Sequence, residues 1–123
     1  MTIYIQGKDQ TVAKAIVSTK TGDYTVTTAD FGKSLRMNSG SDYNFTLPSV
    51  GTADDGARLT FIKQGAGKVT ITAVDSDLIS DSGAAGTISC AAGGLVGADI
   101  NLEYVHGSVT WVVRGAHGTW TTT

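Results

Sequence analysis

The sequence predicts an all-β fold, an antiparallel β-sandwich of jelly-roll-like form with an N-terminal strand or arm. Three observations carry the prediction. Helix formers are scarce, since ten of the eleven acidic residues are Asp and Glu103 is the only Glu. Thr and Gly are abundant, with eighteen and sixteen copies, and they suit half-buried strands and turns. Short runs alternating apolar and polar residues recur between glycine-rich breaks, as expected of strands that bury one face.

Taken in order, the alternating runs place strands at Thr2–Gln6, Ala15–Thr19, Tyr24–Thr27, Ser34–Asn38 and Tyr43–Leu47. Pro48, the only proline, cannot donate to a ladder and ends the last of these. Further strands follow at Arg58–Lys63, Lys68–Ala73, Asp77–Ile79, Thr87–Cys90, Asp99–Val105 and Ser108–Arg114. Ser39-Gly40-Ser41-Asp42 supplies a small polar loop between two runs. Gln64-Gly65-Ala66-Gly67 and His106-Gly107 read as tight hairpins, and hairpins imply antiparallel pairing.

Alternation also predicts the core. Tyr24, Val26, Leu35, Met37, Phe45, Leu47, Leu59, Phe61, Val69, Ile71, Ile100, Leu102, Tyr104, Val109, Trp111 and Val113 are assigned to the buried face. Thr60, Lys63, Thr70, Thr72, Asn101, Glu103, Thr110 and Arg114 are assigned to the opposite face, toward solvent or a neighbouring subunit.

A chain of 123 residues fits one domain with one core. It divides into an N-terminal strand or anchoring arm at 1–22, a sandwich core at 23–115 and a C-terminal tail at 116–123. Nine Lys and Arg against eleven Asp and Glu give a formal charge of −2, too little positive field to predict nucleic-acid binding. No stretch approaches the roughly 18 apolar residues of a membrane span, and MTIYIQGKDQ lacks the pattern of a signal peptide. The chain is therefore expected to be made in a cytoplasm, and Met1 is expected to begin a small complete protein. Cys90 stands alone among small residues, so it is expected to be a buried hydrophobe and not a disulfide partner.

Several chemical signals fail their own requirements. Gly65-Ala66-Gly67-Lys68 has Ile62 where a phosphate loop needs glycine and Val69 where it needs Ser or Thr. Asp75, Asp77 and Asp81 are interrupted by Leu78-Ile79 where a calcium loop keeps supplying oxygen, so no metal is assigned. His106 and His117 match no zinc spacing, no nucleophile elbow is present, and Glu103 has no partner carboxylate for glycosidase chemistry. Asn44-Phe45-Thr46 fits a glycosylation sequon, without consequence for a protein expected to be made in a cytoplasm. No enzyme activity and no cofactor are expected.

Asp30-Phe31-Gly32-Lys33, Phe45-Thr46-Leu47-Pro48, Ile62-Lys63-Gln64-Gly65-Ala66-Gly67 followed by Val69-Thr70-Ile71, and Trp111-Val112-Val113-Arg114-Gly115 occur in one order. This ordered set resembles a β-module of tailed-bacteriophage virion proteins, found in tail fibres, tailspikes and small surface proteins. The resemblance covers roughly Asp23 to Gly115. It implies a virion structural protein: a capsid decoration protein, head fibre or small tail component that binds the phage particle and associates with itself, commonly as a homotrimer. The alternative is a module that attaches to a host through surface glycan or protein, using Ser39–Asp42, Gly51–Gly56 and Gly83–Gly97, with Tyr43 and Trp120 as the exposed aromatics. A free carbohydrate-binding domain is the third reading. Ile3, Tyr4 and Ile5 are candidate interface residues, either as an edge strand or as an arm added to a neighbour. Trp120 is the fourth, set to pack either on a sister subunit or beneath its own sandwich. The run 82–97, rich in Gly and Ala, fits a distal loop or a tight subunit junction equally well.

Overall fold

The computed structural model describes residues 16–94 and 96–123, and the expected strand Thr2–Gln6 lies outside them. Among the described residues the chain forms β1 (Val17–Lys20), β2 (Tyr24–Thr25), β3 (Ser34–Met37), β4 (Tyr43–Thr46), β5 (Arg58–Lys63) and β6 (Val69–Thr72). These are followed by β7 (Leu78–Ile79), β8 (Thr87–Cys90), β9 (Asp99–Val105), β10 (Thr110–His117) and β11 (Thr121–Thr122). Three single-turn 3₁₀ segments, Thr28–Asp30, Thr52–Asp54 and His106–Ser108, are the helical structure among the described residues. The fold is nearly all-β and sandwich-like.

Two sheets form the layers. One has six strands in the order β1-β3-β5-β9-β10-β7, and the other has five in the order β11-β8-β6-β4-β2. From β1 to β8 successive strands alternate between the sheets, so the chain winds around the core as a stack of coils. The pairing corrects the antiparallel, jelly-roll-like expectation. β1 with β3, β3 with β5, β2 with β4, β4 with β6 and β7 with β10 are all parallel. Antiparallel pairing begins where the winding reverses, at β5 with β9, β9 with β10, β6 with β8 and β8 with β11. Both sheets are therefore mixed.

The reason is visible at the corners. Gln64–Gly67 joins β5 in one sheet to β6 in the other, so it is a corner between sheets and not a hairpin. This corner lies directly on the one before it. Gly67 N–H donates to the Ser39 carbonyl at 2.9 Å, Gly65 N–H to the Met37 carbonyl at 3.1 Å, and Lys68 N–H to Asp42 Oδ1 at 2.9 Å. A Cβ at Gly65 would fall on the Ser39 backbone and one at Gly67 on the Ser41 carbonyl, so glycine serves here to bring two corners into contact. His106-Gly107 does join two antiparallel neighbours, β9 and β10, through the 3₁₀ turn and Val109 in a left-handed conformation.

The opposite corners repeat in sequence. Thr28-Ala29-Asp30-Phe31-Gly32 and Thr52-Ala53-Asp54-Asp55-Gly56 each form a 3₁₀ turn followed by a type II turn with glycine at positive φ, 85° and 87°. In each, the Asp accepts a main-chain N–H three residues earlier, from Thr27 to Asp30 and from Gly51 to Asp54, at 2.9 Å in both. The glycine amides then reach the next coil, Gly32 to the Arg58 carbonyl at 2.7 Å and Gly56 to the Tyr104 carbonyl at 2.8 Å. Each copy thus ties its corner to the strand that pairs next, parallel β5 for the first and antiparallel β9 for the second, and alternation alone does not reveal the repeat.

The buried core contains most of the expected residues, from Val26, Leu35 and Met37 through Ile100, Leu102, Tyr104 and Trp111. Phe45 of one sheet meets Phe61 of the other with ring centroids 5.0 Å apart, and Tyr104 meets Trp111 at 5.3 Å. Tyr24 and Val113 are half-buried against this core. Three assignments are corrected. Val109 is exposed, because its left-handed turn position interrupts the alternation that would have turned it inward. Thr110, expected outside, is buried, and its hydroxyl donates to the Ser108 carbonyl at 2.7 Å. Lys63 is fully buried, because the period of two that buries Leu59 and Phe61 also turns residue 63 inward. Its ammonium donates to the Gly65 carbonyl at 2.9 Å and approaches that of Gly94 at 3.4 Å, pinning the 64–67 corner to the 91–97 loop.

The proposed domain limits fall inside these layers. β1 precedes residue 22 yet pairs with β3 along its whole length, and residues 116–117 continue β10. β11, not anticipated from the sequence, pairs with β8 and brings the C-terminal residues onto the five-stranded sheet.

Candidate functional site

On the outer face of the six-stranded sheet, β5 and β9 pair so that Arg58 lies beside Glu103 and Thr60 beside Asn101. A bulge in β10 between Val113 and Gly115 changes the register on the far side of β9. The Arg114 side chain comes to rest over Glu103. Arg58 Nη2 and Arg114 Nε contact the same carboxylate oxygen, Glu103 Oε1, at 3.1 and 3.3 Å. That oxygen is withdrawn from solvent, while the Arg58 and Arg114 side chains stay 67% and 54% exposed.

Arg58 and Arg114 line a groove of about 450 Å³ with Gly32, Lys33, Leu59, Thr60, Asn101 and Leu102. Lys33 enters from the type II turn, its ammonium 3.2 Å from Asp30 Oδ1. Asp30 is buried, which alone would raise its pKa; the Thr27 N–H, the Tyr24 hydroxyl and Lys33 outweigh burial and hold it below the usual carboxylate range. Asn101 Oδ1 accepts from the Thr60 hydroxyl at 2.6 Å. Asp30, Asn101 and Glu103 each have a partner within the protein, and the two guanidiniums stay largely exposed.

A second polar cluster sits where the 3₁₀ turn at 52–54 meets the β9–β10 turn. His106 lies 3.2 Å from the Thr52 hydroxyl through Nε2 and 3.1 Å from the Tyr104 hydroxyl through Nδ1. Catalytic activation of Thr52 would need a carboxylate behind the imidazole. Tyr104 occupies that place, its pKa raised by burial and by Asp77, Asp54 and Asp55. The Asp55 carboxylate instead accepts the His106 main-chain N–H at 3.0 Å. Asp77 is buried with Oδ2 unpartnered among the described residues; burial first, and Asp75 second, raise its pKa against the opposing effect of His106.

The three aspartates singled out as an ion-binding possibility are dispersed. Asp75 accepts from Ser49 at 2.6 Å, Asp81 accepts from Thr122 at 2.8 Å, and Asp77 points inward. No group of three His, Cys, Asp or Glu among the described residues is placed to hold a metal ion. His117 pairs with Asp99 at 3.2 Å, far along the chain from His106. Cys90 is buried as a free thiol. Asn44 Oδ1 accepts from Thr72 and its amide donates to Thr46, within the sheet.

Ile3, Tyr4 and Ile5 lie outside the described residues. Trp120 is half-buried against its own sandwich, its indole donating to the His117 carbonyl at 3.0 Å. It lines a cleft of about 460 Å³ with Ile88, Ile100, Val113 and Ala116, between the sheets at the β11 end. Tyr43, named as an exposed aromatic, is half-buried on the core. The run 82–97 contains β8, so part of it is sheet. Alternation had already put Thr60, Asn101, Glu103 and Arg114 on one outer face. The bulge and the pairing of β5 with β9, which gather them with Arg58 and Lys33, leave no mark in a single sequence.

No protein-family model matches this chain, and no curated protein matches it. No helix among the described residues is long and apolar enough to cross a membrane.

Proposed function

We propose that this protein is a structural component of a bacteriophage virion, a capsid decoration protein, head fibre or small tail component, acting by association and not by catalysis. One observation carries the reading beyond the motif resemblance. Among the described residues the coil stack ends at β1 and β2, edge strands of the two sheets, and the β1 edge displays Ile16 and Val17, 68% and 43% exposed. An edge strand beside exposed β-branched residues favours strand addition by a neighbour. The resemblance implies a threefold assembly, and the segment carrying Ile3, Tyr4 and Ile5 precedes β1 in the sequence.

Light scattering on the purified protein, followed by sedimentation with capsids and separately with host cells, tests the proposal. A stable oligomer that co-sediments with capsids in fixed ratio is the expected result, with or without binding to cells. A monomer that binds cells and not capsids overturns it. The second reading, attachment to host surface glycan, is favoured by the donor-lined groove over Glu103.

A further inference from the structure

We infer that the groove between β5, β9 and the β10 bulge is a binding site for a carboxylate-bearing saccharide, a uronic acid unit within a surface polysaccharide. The inference rests on the glycan-attachment reading and gives its ligand chemistry. All three arginines of the chain, Arg36, Arg58 and Arg114, belong to the six-stranded sheet, and two converge on this groove. Lys33, Arg58 and Arg114 face Asp30 and Glu103, an excess of one positive charge in a chain whose net charge is −2.

The donor arrangement selects an anion. Arg58 and Arg114 share one Glu103 oxygen, so each keeps guanidinium N–H groups directed to solvent. A planar carboxylate set between two guanidiniums takes charge-assisted hydrogen bonds from both, at little cost in ordering because Glu103 already holds them. The volume, about 450 Å³, lies within the range of small-molecule sites. Asn101 and Thr60 on the groove wall suit sugar hydroxyls. No aromatic side chain among the described residues lines the groove, so the stacking that would hold a neutral sugar is not supplied there and charge must supply the affinity.

Calorimetric titration with trigalacturonate tests the assignment, with maltotriose, inorganic phosphate and a glutamate pentapeptide as comparison ligands. Saturable trigalacturonate binding is expected, weakening at least tenfold in R58Q and in R114Q and several-fold as salt is raised, with none to maltotriose. Because these variants leave Glu103 short of a partner, E103Q is the companion: it frees both guanidiniums and is expected to bind trigalacturonate at least as tightly as the native chain. No saturable binding, binding indifferent to R58Q and R114Q, or loss in E103Q overturns the site. Equal binding of phosphate or of the pentapeptide overturns the saccharide assignment. Host-cell binding that persists in R58Q and R114Q sinks this groove while leaving attachment standing; absence of cell binding by the native chain removes both.

Discussion

Among the described residues, three Asp and Lys side chains, Asp30, Lys63 and Asp77, are buried in the sandwich, and each is held differently. Asp30 is surrounded by donors and caps a turn, so its ionised form is favoured in the fold. Its stabilising contribution is present above the ordinary carboxylate range and is lost as pH falls through its lowered pKa. Asp77 works in the opposite sense. Burial holds its pKa up, so the folded chain retains the proton more firmly than the unfolded chain, and stability declines as pH rises from the ordinary carboxylate range through the raised value. Asp77→Asn removes the charge and keeps the shape. The variant is expected to be more stable than the native chain at neutral pH by roughly 1–2 kcal/mol, the scale of an unpaired buried polar group. Its advantage should shrink on acidification to about pH 3, below the ordinary Asp value of about 3.9, where Asp77 is mostly neutral in both states. Thermal unfolding at the two pH values measures this, and an equal advantage at both would show that the charge is not the cause. Lys63 illustrates what alternation does to a polar residue: in Arg58-Leu59-Thr60-Phe61-Ile62-Lys63 the inward parity is set by Leu59 and Phe61, and the lysine obeys it because two loop carbonyls wait at the sandwich end.

At the scale of elements, strand existence was legible and strand partnership was not. β5, β8 and β9 have the limits that alternation gives, and β4 ends before Pro48 as a missing N–H requires. Partnership depends on which corner touches which, and the signals for that are small. The Thr-Ala-Asp-x-Gly repeat at 28–32 and 52–56 and the glycines at 65 and 67 were present in the sequence. A glycine permits a hairpin turn as readily as a close approach between corners, so composition led to antiparallel pairing. The close approach makes a sharp prediction. In Gly67→Ala the new Cβ would occupy the Ser41 carbonyl, forcing apart two corners held by Gly67 N–H to Ser39 and Lys68 N–H to Asp42. A loss of about 2–3 kcal/mol is expected, in the range of overpacking. Gly40→Ala, where the added Cβ meets nothing within 4 Å, should change stability by less than about 0.5 kcal/mol. Denaturant unfolding of the pair compares them directly. Equal stabilities would mean that the corners do not bear on each other. The candidate groove was half legible for the same reason: its side chains follow the period of two, and its assembly depends on a bulge.

At the scale of the molecule, the two ends of the coil stack differ. At one end the winding reverses, β9 and β10 return antiparallel, and the C-terminal β11 lies over β8, with Trp120 set against the core nearby. At the other end β1 and β2 are the outermost strands among the described residues, with Ile16 and Val17 exposed beside the β1 edge. A stack of parallel coils propagates by adding another strand in register, so such an end is the natural place for one subunit to meet another. Charge on an edge strand blocks that pairing without disturbing the fold beneath it, since the altered side chains face outward. On the assembly proposed above, Ile16→Asp combined with Val17→Lys is therefore expected to convert the oligomer to monomer. Its thermal midpoint, compared at a concentration where the native chain is also monomeric, should stay within a few degrees, as for surface substitutions. Sedimentation velocity across a concentration series reads the outcome. An oligomer unchanged by the double substitution would move the contact away from the β1 edge, leaving the Trp120 end of the stack to be tested in its place.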